Sequence, residues 1–352
     1  MKLLHQFFER LWYHRSSLRY VFWLPAKLFL LLSTRRRQKY LSGQSKVFHP
    51  PVPVIVVGNI NVGGTGKTPL TIWLIDTLRK RGYKPGVVSR GYGGNLNQYP
   101  YPVSDTDSAV MVGDEPLMIH LRTGAPVMID PDRASAARAL IKGNAVDVII
   151  SDDGLQHYRL ARTLELVVVD GQRGFGNQSV LPMGPLREPV ERIREVDAVV
   201  VNGGAVHSSL SMLFNGQFAT PCFEMRLAPG NLIPLNAASE IPSLQNAAVR
   251  VKAVAGIGNP QRFFETLSAM SLVYDAYAFP DHHQYTRQDL SAIAASREHD
   301  FIVTTEKDAV KMRPFAEVRG AFLPVNAELQ EGLIDVIMAK LEDFKVHHCH
   351  HY

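Results

Sequence analysis

A chain of 352 residues is long enough for two domains, and its apolar and charged fractions are those of an ordinary globular protein. The formal charge of +5 is uneven: the first fifty residues hold ten Lys and Arg against Glu9 alone, so they carry +9 and the rest carries −4. Basic charge confined to one end argues against a nucleic-acid-binding protein, and two distant cysteines, Cys222 and Cys349, point to a reducing compartment and not to a metal cluster.

The N-terminal segment is rich in large apolar groups, with Phe7, Phe8, Leu11 and Trp12 followed by the runs 20–24 and 28–32. Pro25 and Lys27 interrupt it and no small-residue cleavage site follows, so a signal peptide fits poorly. Residues 19–32 are too short and too charged for a full span. One or two helices lying in the membrane interface are expected. Trp12, Trp23 and the Phe residues would enter lipid, and Arg35, Arg36, Arg37 and Lys39 would meet anionic head groups. The competing reading is an amphipathic helix packed on the protein's own core.

Residues 49–53 form a proline-rich extended linker, and the β-branched run 54–57 then reads as a buried parallel strand. It leads into Asn61, Val62, Gly63, Gly64, Thr65, Gly66, Lys67 and Thr68, and then into helical apolar spacing at Leu70, Trp73, Leu74 and Leu78. Strand, glycine loop, Lys-Thr and helix make a P-loop. Its backbone N–H groups and helix N-terminus cradle phosphate, its Lys reaches the β- and γ-phosphates, and its Thr takes Mg²⁺. Asn61 stands where the motif has its first glycine; Asn tolerates a left-handed backbone, so the turn stays feasible.

Strands are expected at 85–89, 126–130, 146–151, 164–169 and 198–201, alternating with helices over 117–121 and 132–142. Residues 95–111 read as a loop. The pattern predicts an α/β fold: a P-loop NTPase-type doubly wound parallel sheet, with ligands at the strand C-terminal ends. Strand-like pieces at 217–224 and 249–254 connect it to a second, smaller α/β domain. That domain has a Gly256-Ile-Gly-Asn-Pro260 turn, a strand at 301–304 and a closing helix over 329–344. The expected division is therefore membrane-associated helices over 1–46, a P-loop core over 47–216, a second lobe over 217–345, and a His-rich tail, disordered, over 346–352.

Phosphoryl transfer needs a metal, a phosphate cradle and a group that handles the acceptor proton. Asp152-Asp153 ends an apolar strand, as a Walker-B carboxylate does. Asp114-Glu115 opens a helix, where carboxylates are commonly caps. Asp281, His282 and His283 share one turn, and imidazole titrates near neutrality. Arg90, Arg133 and Arg187 lie at loop or helix starts and are candidates for phosphate contacts. Zinc is not expected, because the folded part holds no His/Cys cluster.

Eight pieces in order resemble the lipid A 4'-kinase family, also called tetraacyldisaccharide 4'-kinase. They are residues 58–69, Ser89-Arg-Gly-Tyr92, Val112-Gly-Asp-Glu-Pro116, Ser151-Asp-Asp-Gly-Leu-Gln-His157, 181–189, 255–260, 279–283 and Thr305-Glu-Lys-Asp308. The set is specific as a whole and spans nearly the whole chain, and the family tolerates a non-glycine at Asn61. The resemblance implies transfer of the ATP γ-phosphate to the 4'-hydroxyl of a tetraacylated disaccharide 1-phosphate, at the cytoplasmic face of a Gram-negative inner membrane. It implies that Asp114 acts with a histidine of the second lobe, His282 or its neighbour His283. It also implies that Glu115 joins Thr68 on Mg²⁺, with Asp152 and Asp153 nearby, and that no obligate protein partner is needed. A membrane-associated P-loop switch or metallochaperone is the competing class.

Overall fold

The computed structural model describes residues 2–14, 16–204, 206–236, 239, 241, 250–294 and 301–348. Helices α1 (Lys2–Tyr13) and α2 (Trp23–Leu41) precede the first strand. The chain then alternates through β1 (Val54–Gly58), α3 (Lys67–Arg79), β2 (Pro85–Ser89), β3 (Tyr101–Pro102), α4 (Ala109–Val112), α5 (Asp114–Thr123), β4 (Val127–Ile129) and α6 (Arg133–Gly143). It continues through β5 (Val148–Asp152), β6 (Leu164–Asp170), β7 (Ala198–Asn202), α7 (Ser211–Phe214) and β8 (Cys222–Pro229).

These strands form a nine-stranded sheet whose ninth member, β14 (Val325–Leu329), comes from near the C-terminus; the order is β14-β8-β7-β6-β1-β5-β2-β4-β3. The run from β8 to β4 is parallel, and β14 and β3 add antiparallel edges. Strand β1 shows why its sequence is continuously apolar. Ile55 and Val57 pack with Leu74 and Leu78 of α3 on one face, while Val54 and Val56 pack with Ala137 and Leu140 of α6 on the other. A strand covered on both faces has no solvent side on which to place a polar residue.

The smaller sheet has the order β11-β10-β12-β13-β9, built from β9 (Ile233–Pro234), β10 (Arg250–Ala255), β11 (Val273–Ala278), β12 (Ile302–Thr305) and β13 (Gly320–Leu323). Helices α8 (Pro260–Ala269), α9 (Arg287–Ala294) and α10 (Glu306–Met312) belong to this lobe. The chain leaves the large sheet along β8 and returns along β14, and these two strands pair antiparallel from Met225–Leu329 to Pro229–Val325. The final helix α11 (Leu333–His348) lays Leu333, Ile337 and Leu341 into the large core.

Several boundaries differ from the sequence reading. A division at 217 separates β8 from the sheet it joins, and β14 and α11 return to the large lobe from within 217–345. Residues 95–111 contain β3 and α4. Helix α11 runs on to His348, into the expected tail, and residues 349–352 lie outside the described residues. Trp12, expected in lipid, is half-buried and its indole N–H donates to the Pro182 carbonyl at 2.9 Å. Arg37, expected at head groups, pairs with Glu195. Asn61 is not among the described non-glycine residues with positive φ. Its backbone bridges to Leu186, and its side chain donates to the Gly174 carbonyl at 2.9 Å.

Leu341→Ala is expected to lower stability by about 2–5 kcal/mol. Urea denaturation reads this, and an unchanged midpoint would place α11 outside the large core.

Candidate active site

The phosphate loop follows the C-terminal end of β1. Gly66, the residue before α3, has φ 98°, and a Cβ there would lie 2.5 Å from the Asn202 amide nitrogen. Glycine is needed for both reasons. Asn202, at the end of β7, donates to the Thr65 carbonyl at 3.1 Å, and Asn59 donates to the Gly63 carbonyl at 3.2 Å. The loop is thus braced by amide side chains on both sides. Lys67 and Thr68 form the first turn of α3.

The end of β5 lies beside it, with Asp152 in register with Val57. Asp152 is buried and accepts from the Thr71 hydroxyl at 3.3 Å. Burial, with Glu115 and Asp153 adding like charge, pushes its carboxyl up to about 7. Asp153 behaves oppositely. Burial works against its charge, but Lys67 at 3.4 Å and Arg187 at 3.3 Å outweigh it and hold the carboxyl at about 2.

Asp114 opens α5 directly after Gly113, whose φ is 90° and whose added Cβ would meet the Tyr92 carbonyl at 2.6 Å. The close approach of the 90–94 loop to α5 therefore depends on that glycine. Asp114 is buried, and the His282 Nδ1–H donates to its Oδ2 at 2.9 Å across 168 residues. His282 has φ 57°, a left-handed conformation that costs a non-glycine residue about 1–3 kcal/mol. Its ring packs edge-on against Tyr92, 5.3 Å between centroids. His283 faces away: its Nε2 bonds Asp289 at 3.1 Å and its ring stacks on Phe279. Of the two histidines left open by the sequence, the structure brings only His282 to Asp114.

The hydrogen bond to Asp114 raises the His282 imidazole above 6.5, against burial and the nearby Lys307. For Asp114, burial opposes the charge, but the bond to His282 and the Lys307 ammonium hold the carboxyl below its usual value. Lys307, the second residue of α10, lies in the Thr305-Glu-Lys-Asp308 piece, but the sequence assigns it no role. Its Nζ lies 3.2 Å from Glu115 Oε1, 3.3 Å from Asp281 Oδ1 and 3.8 Å from Asp114 Oδ2. Burial lowers its pKa, but Glu115, Asp114 and Asp281 outweigh this and raise it.

Two cavities meet here. One of about 260 Å³ is lined by Gly64–Thr68, Glu115, Asn202, the 257–259 turn, Arg262 and Lys307. Arg262 is a second residue that the sequence did not single out; its guanidinium bonds Asn202 Oδ1 at 3.5 Å. The other cavity, of about 870 Å³, is lined by Arg90, Tyr92, Glu115, Arg133, Asp152, Asp153 and Arg187. Phe29, Leu32, Arg36 and Arg37 of α2 wall its far side. Arg90, Arg133 and Arg187 therefore share one cavity. Arg133 is almost wholly buried and donates to the Asp130 carbonyl at 2.9 Å; burial, with Arg90 adding, pushes its pKa down to about 10 despite Asp152 and Asp153.

The sign of the pH dependence follows from the two shifts. The raised His282 contributes stability fully below 6.5 and loses it as pH rises through its folded value. The lowered Asp114 contributes above 3.8 and loses it as pH falls through its folded value. The interlobe bond is strongest between those limits. In a proton NMR titration His282 is expected to titrate above 6.5, and in Asp114→Asn at a lower pH than in the parent protein, because of the groups that act on it only Asp281 then opposes burial and Lys307. An unmoved midpoint would separate the two groups.

The family model described as Tetraacyldisaccharide-1-P 4'-kinase (LpxK) matches residues 18–342. A tetraacyldisaccharide 4'-kinase of Aeromonas hydrophila is 46% identical over 334 residues, covering 95% of each chain. One of Pseudomonas fluorescens is 47% identical over 322 residues, covering 90% of each. The crystal structure of the "apo" form of LpxK from Aquifex aeolicus in complex with ATP has a TM-score of 0.76 at 26% identity, covering 92% of this chain and all of that one. With the P-loop, the strand-end carboxylates and the Asp114–His282 pair in one junction, and with this match over nearly its whole length, the chain belongs to the tetraacyldisaccharide-1-P 4'-kinase family.

Proposed function

We propose that the protein transfers the γ-phosphate of ATP to the 4'-hydroxyl of a tetraacyldisaccharide 1-phosphate in lipid A synthesis. The observation that carries this reading is the junction at Glu115, which lines both cavities, with Asp114 preceding it and bonded to His282. The phosphate-loop side is the donor site, as the ATP complex of the Aquifex relative supports. At about 260 Å³ it is lined by residues of both lobes. The larger, arginine-lined cavity takes the acceptor.

Asp114 accepts the proton of the 4'-hydroxyl, and His282 orients its carboxylate. The lowered pKa keeps Asp114 ionised at neutral pH. Its weak basicity suits a loose phosphoryl transition state, in which the nucleophile needs little prior deprotonation. Lys67 and the N–H groups of residues 63–68 bind the transferring phosphates; of the earlier part of the loop, Asn61 bridges to Leu186 and the Val62 N–H donates to the Pro185 carbonyl at 2.9 Å. Arg90, Arg133 and Arg187 hold the phosphate of the acceptor or the migrating group.

The residues suit Mg²⁺. Thr68, Glu115, Asp152 and Asp153 offer only hard oxygen donors, and the repulsion from Glu115 and Asp153 that adds to burial in lifting Asp152 is the field a cation relieves. Among the described residues no three His, Cys, Asp or Glu side chains form a metal cage. That is compatible with Mg²⁺, which binds through one or two carboxylates plus substrate phosphates. When bound, Mg²⁺ neutralises charge on the β- and γ-phosphate oxygens.

A membrane site at the inner face of the inner membrane completes the reading. No helix among the described residues is long and apolar enough to cross a bilayer. Yet Leu18, Val21, Trp23, Leu24, Leu28 and Leu32 are exposed on the N-terminal segment. Such a surface lies in the interface, and α2 is also a wall of the acceptor cavity.

Purified protein is expected to move labelled phosphate from ATP to detergent-dispersed acceptor, and absence of that product overturns the reading. Asp114→Ala should lower kcat by about 10²–10⁴-fold and spare ATP affinity, whereas Lys67→Ala should impair both. Replacing Trp23, Leu24 and Leu28 together by Ser should weaken co-sedimentation with anionic vesicles at least tenfold, since each buried apolar side chain contributes about 1.5–3 kcal/mol. Unchanged sedimentation removes this face from membrane binding.

A further inference from the structure

Lys307 has no role in the steps above, yet it touches four residues of the junction. Its Nζ lies 3.2 Å from Glu115, 3.3 Å from Asp281, 3.4 Å from His282 Nε2 and 3.8 Å from Asp114. One side chain of the small lobe thus reaches two consecutive acids of the large lobe and both Asp281 and His282 of the histidine turn. The helix dipole disfavours a cation at the second position of α10, so these carboxylates are what hold the ammonium there. The helix is firmly seated. Asp308, wholly buried, pairs with Lys311 at 2.6 Å, accepts from the Gly256 amide at 2.9 Å and takes the Thr305 hydroxyl at 2.7 Å. Lys307 therefore projects from a fixed base, and Glu306 beside it pairs with Arg122 of α5.

We propose that Lys307 is a positioning residue that latches the two lobes and occupies Glu115 until the divalent cation arriving with ATP takes that carboxylate from it. The inference rests on the kinase reading, in which Glu115 is a metal ligand. Two cations at one carboxylate repel, so ammonium and metal compete for Glu115. When Glu115 turns to the metal, Asp281 and Asp114 still anchor the lysine, and the histidine turn stays against α5. The latch thus does two things with opposite signs: it supports the Asp114–His282 geometry and it opposes the metal.

Full-length protein with Lys307→Met and Lys307→Arg tests this. Calorimetry gives the ratio of ATP affinity with and without Mg²⁺, and lipid phosphorylation gives kcat. In Lys307→Met the Mg²⁺ enhancement of ATP affinity should rise by roughly tenfold, because the metal takes Glu115 unopposed. At the same time kcat should fall by about a hundredfold, the usual consequence of a misplaced catalytic pair. Lys307→Arg, which keeps the charge, should retain the wild-type enhancement. A merely structural lysine would lower affinity and kcat together, so an enhancement that falls or stays constant in Lys307→Met overturns the proposal. Asp281→Asn, which removes one anchor of the released lysine but leaves Lys307 on Glu115, should lower kcat and should not raise the enhancement; a raised enhancement counts against the proposal equally. If the wild-type protein makes no phospholipid product, the kinase reading fails on its own, while the calorimetric comparison still decides the competition at Glu115.

Discussion

The bond between the Asp114 carboxylate and the His282 imidazole spans 168 residues and joins two lobes that each have a core of their own. Neither partner is usefully placed without the other lobe. Asp114 is buried at the start of a helix, where a lone carboxylate would serve as a cap. His282 sits in a strained left-handed turn that only its surroundings sustain. The bond raises one pKa and lowers the other, so at neutral pH it favours the ion pair or its hydrogen-bonded equivalent over two separate groups.

The same logic separates the two carboxylates at the end of β5. Asp152 and Asp153 are neighbours, yet one is pushed up to about 7 and the other held at about 2. The difference comes from direction. Asp152, on the strand, is buried against α3 and accepts from Thr71, while Asp153 turns at φ 47° to meet Lys67 and Arg187. Asp153 and His282 are two of the four non-glycine residues with positive φ among those described, so local backbone strain is concentrated at the site.

Much of this was legible in the sequence because its signals are local. The β-branched runs of the central strands announce burial on both faces, and the glycine spacing before Lys67 announces a phosphate loop. What was not legible depends on long-range pairing. Nothing in residues 222–229 says that they extend the large sheet, because their edge partner lies a hundred residues on, at 325–329. Trp12 beside basic residues reads as a membrane anchor until the Pro182 carbonyl is placed near its indole. Asn61 was read for its tolerance of a left-handed turn, whereas the structure uses its amide as a hydrogen-bond donor. Lys307 is one lysine in a short polar stretch, and only the approach of α5 and of the 281–282 turn gives it partners. The choice between His282 and His283 likewise needed the turn's direction, which two adjacent identical residues cannot reveal.

The pairing of β8 with β14 has a consequence for how such a molecule is assembled. The chain departs and comes back on neighbouring strands, about 4.8 Å apart. The small lobe is therefore an insertion in the topological sense: a short turn between the two strands would leave the nine-stranded sheet with every member and its phosphate loop intact. Such a shortened molecule would lack His282, Asp281 and Lys307. The inserted lobe thus supplies one wall of the phosphate-loop cavity and the histidine that reaches Asp114, whereas every residue lining the larger cavity precedes the insertion.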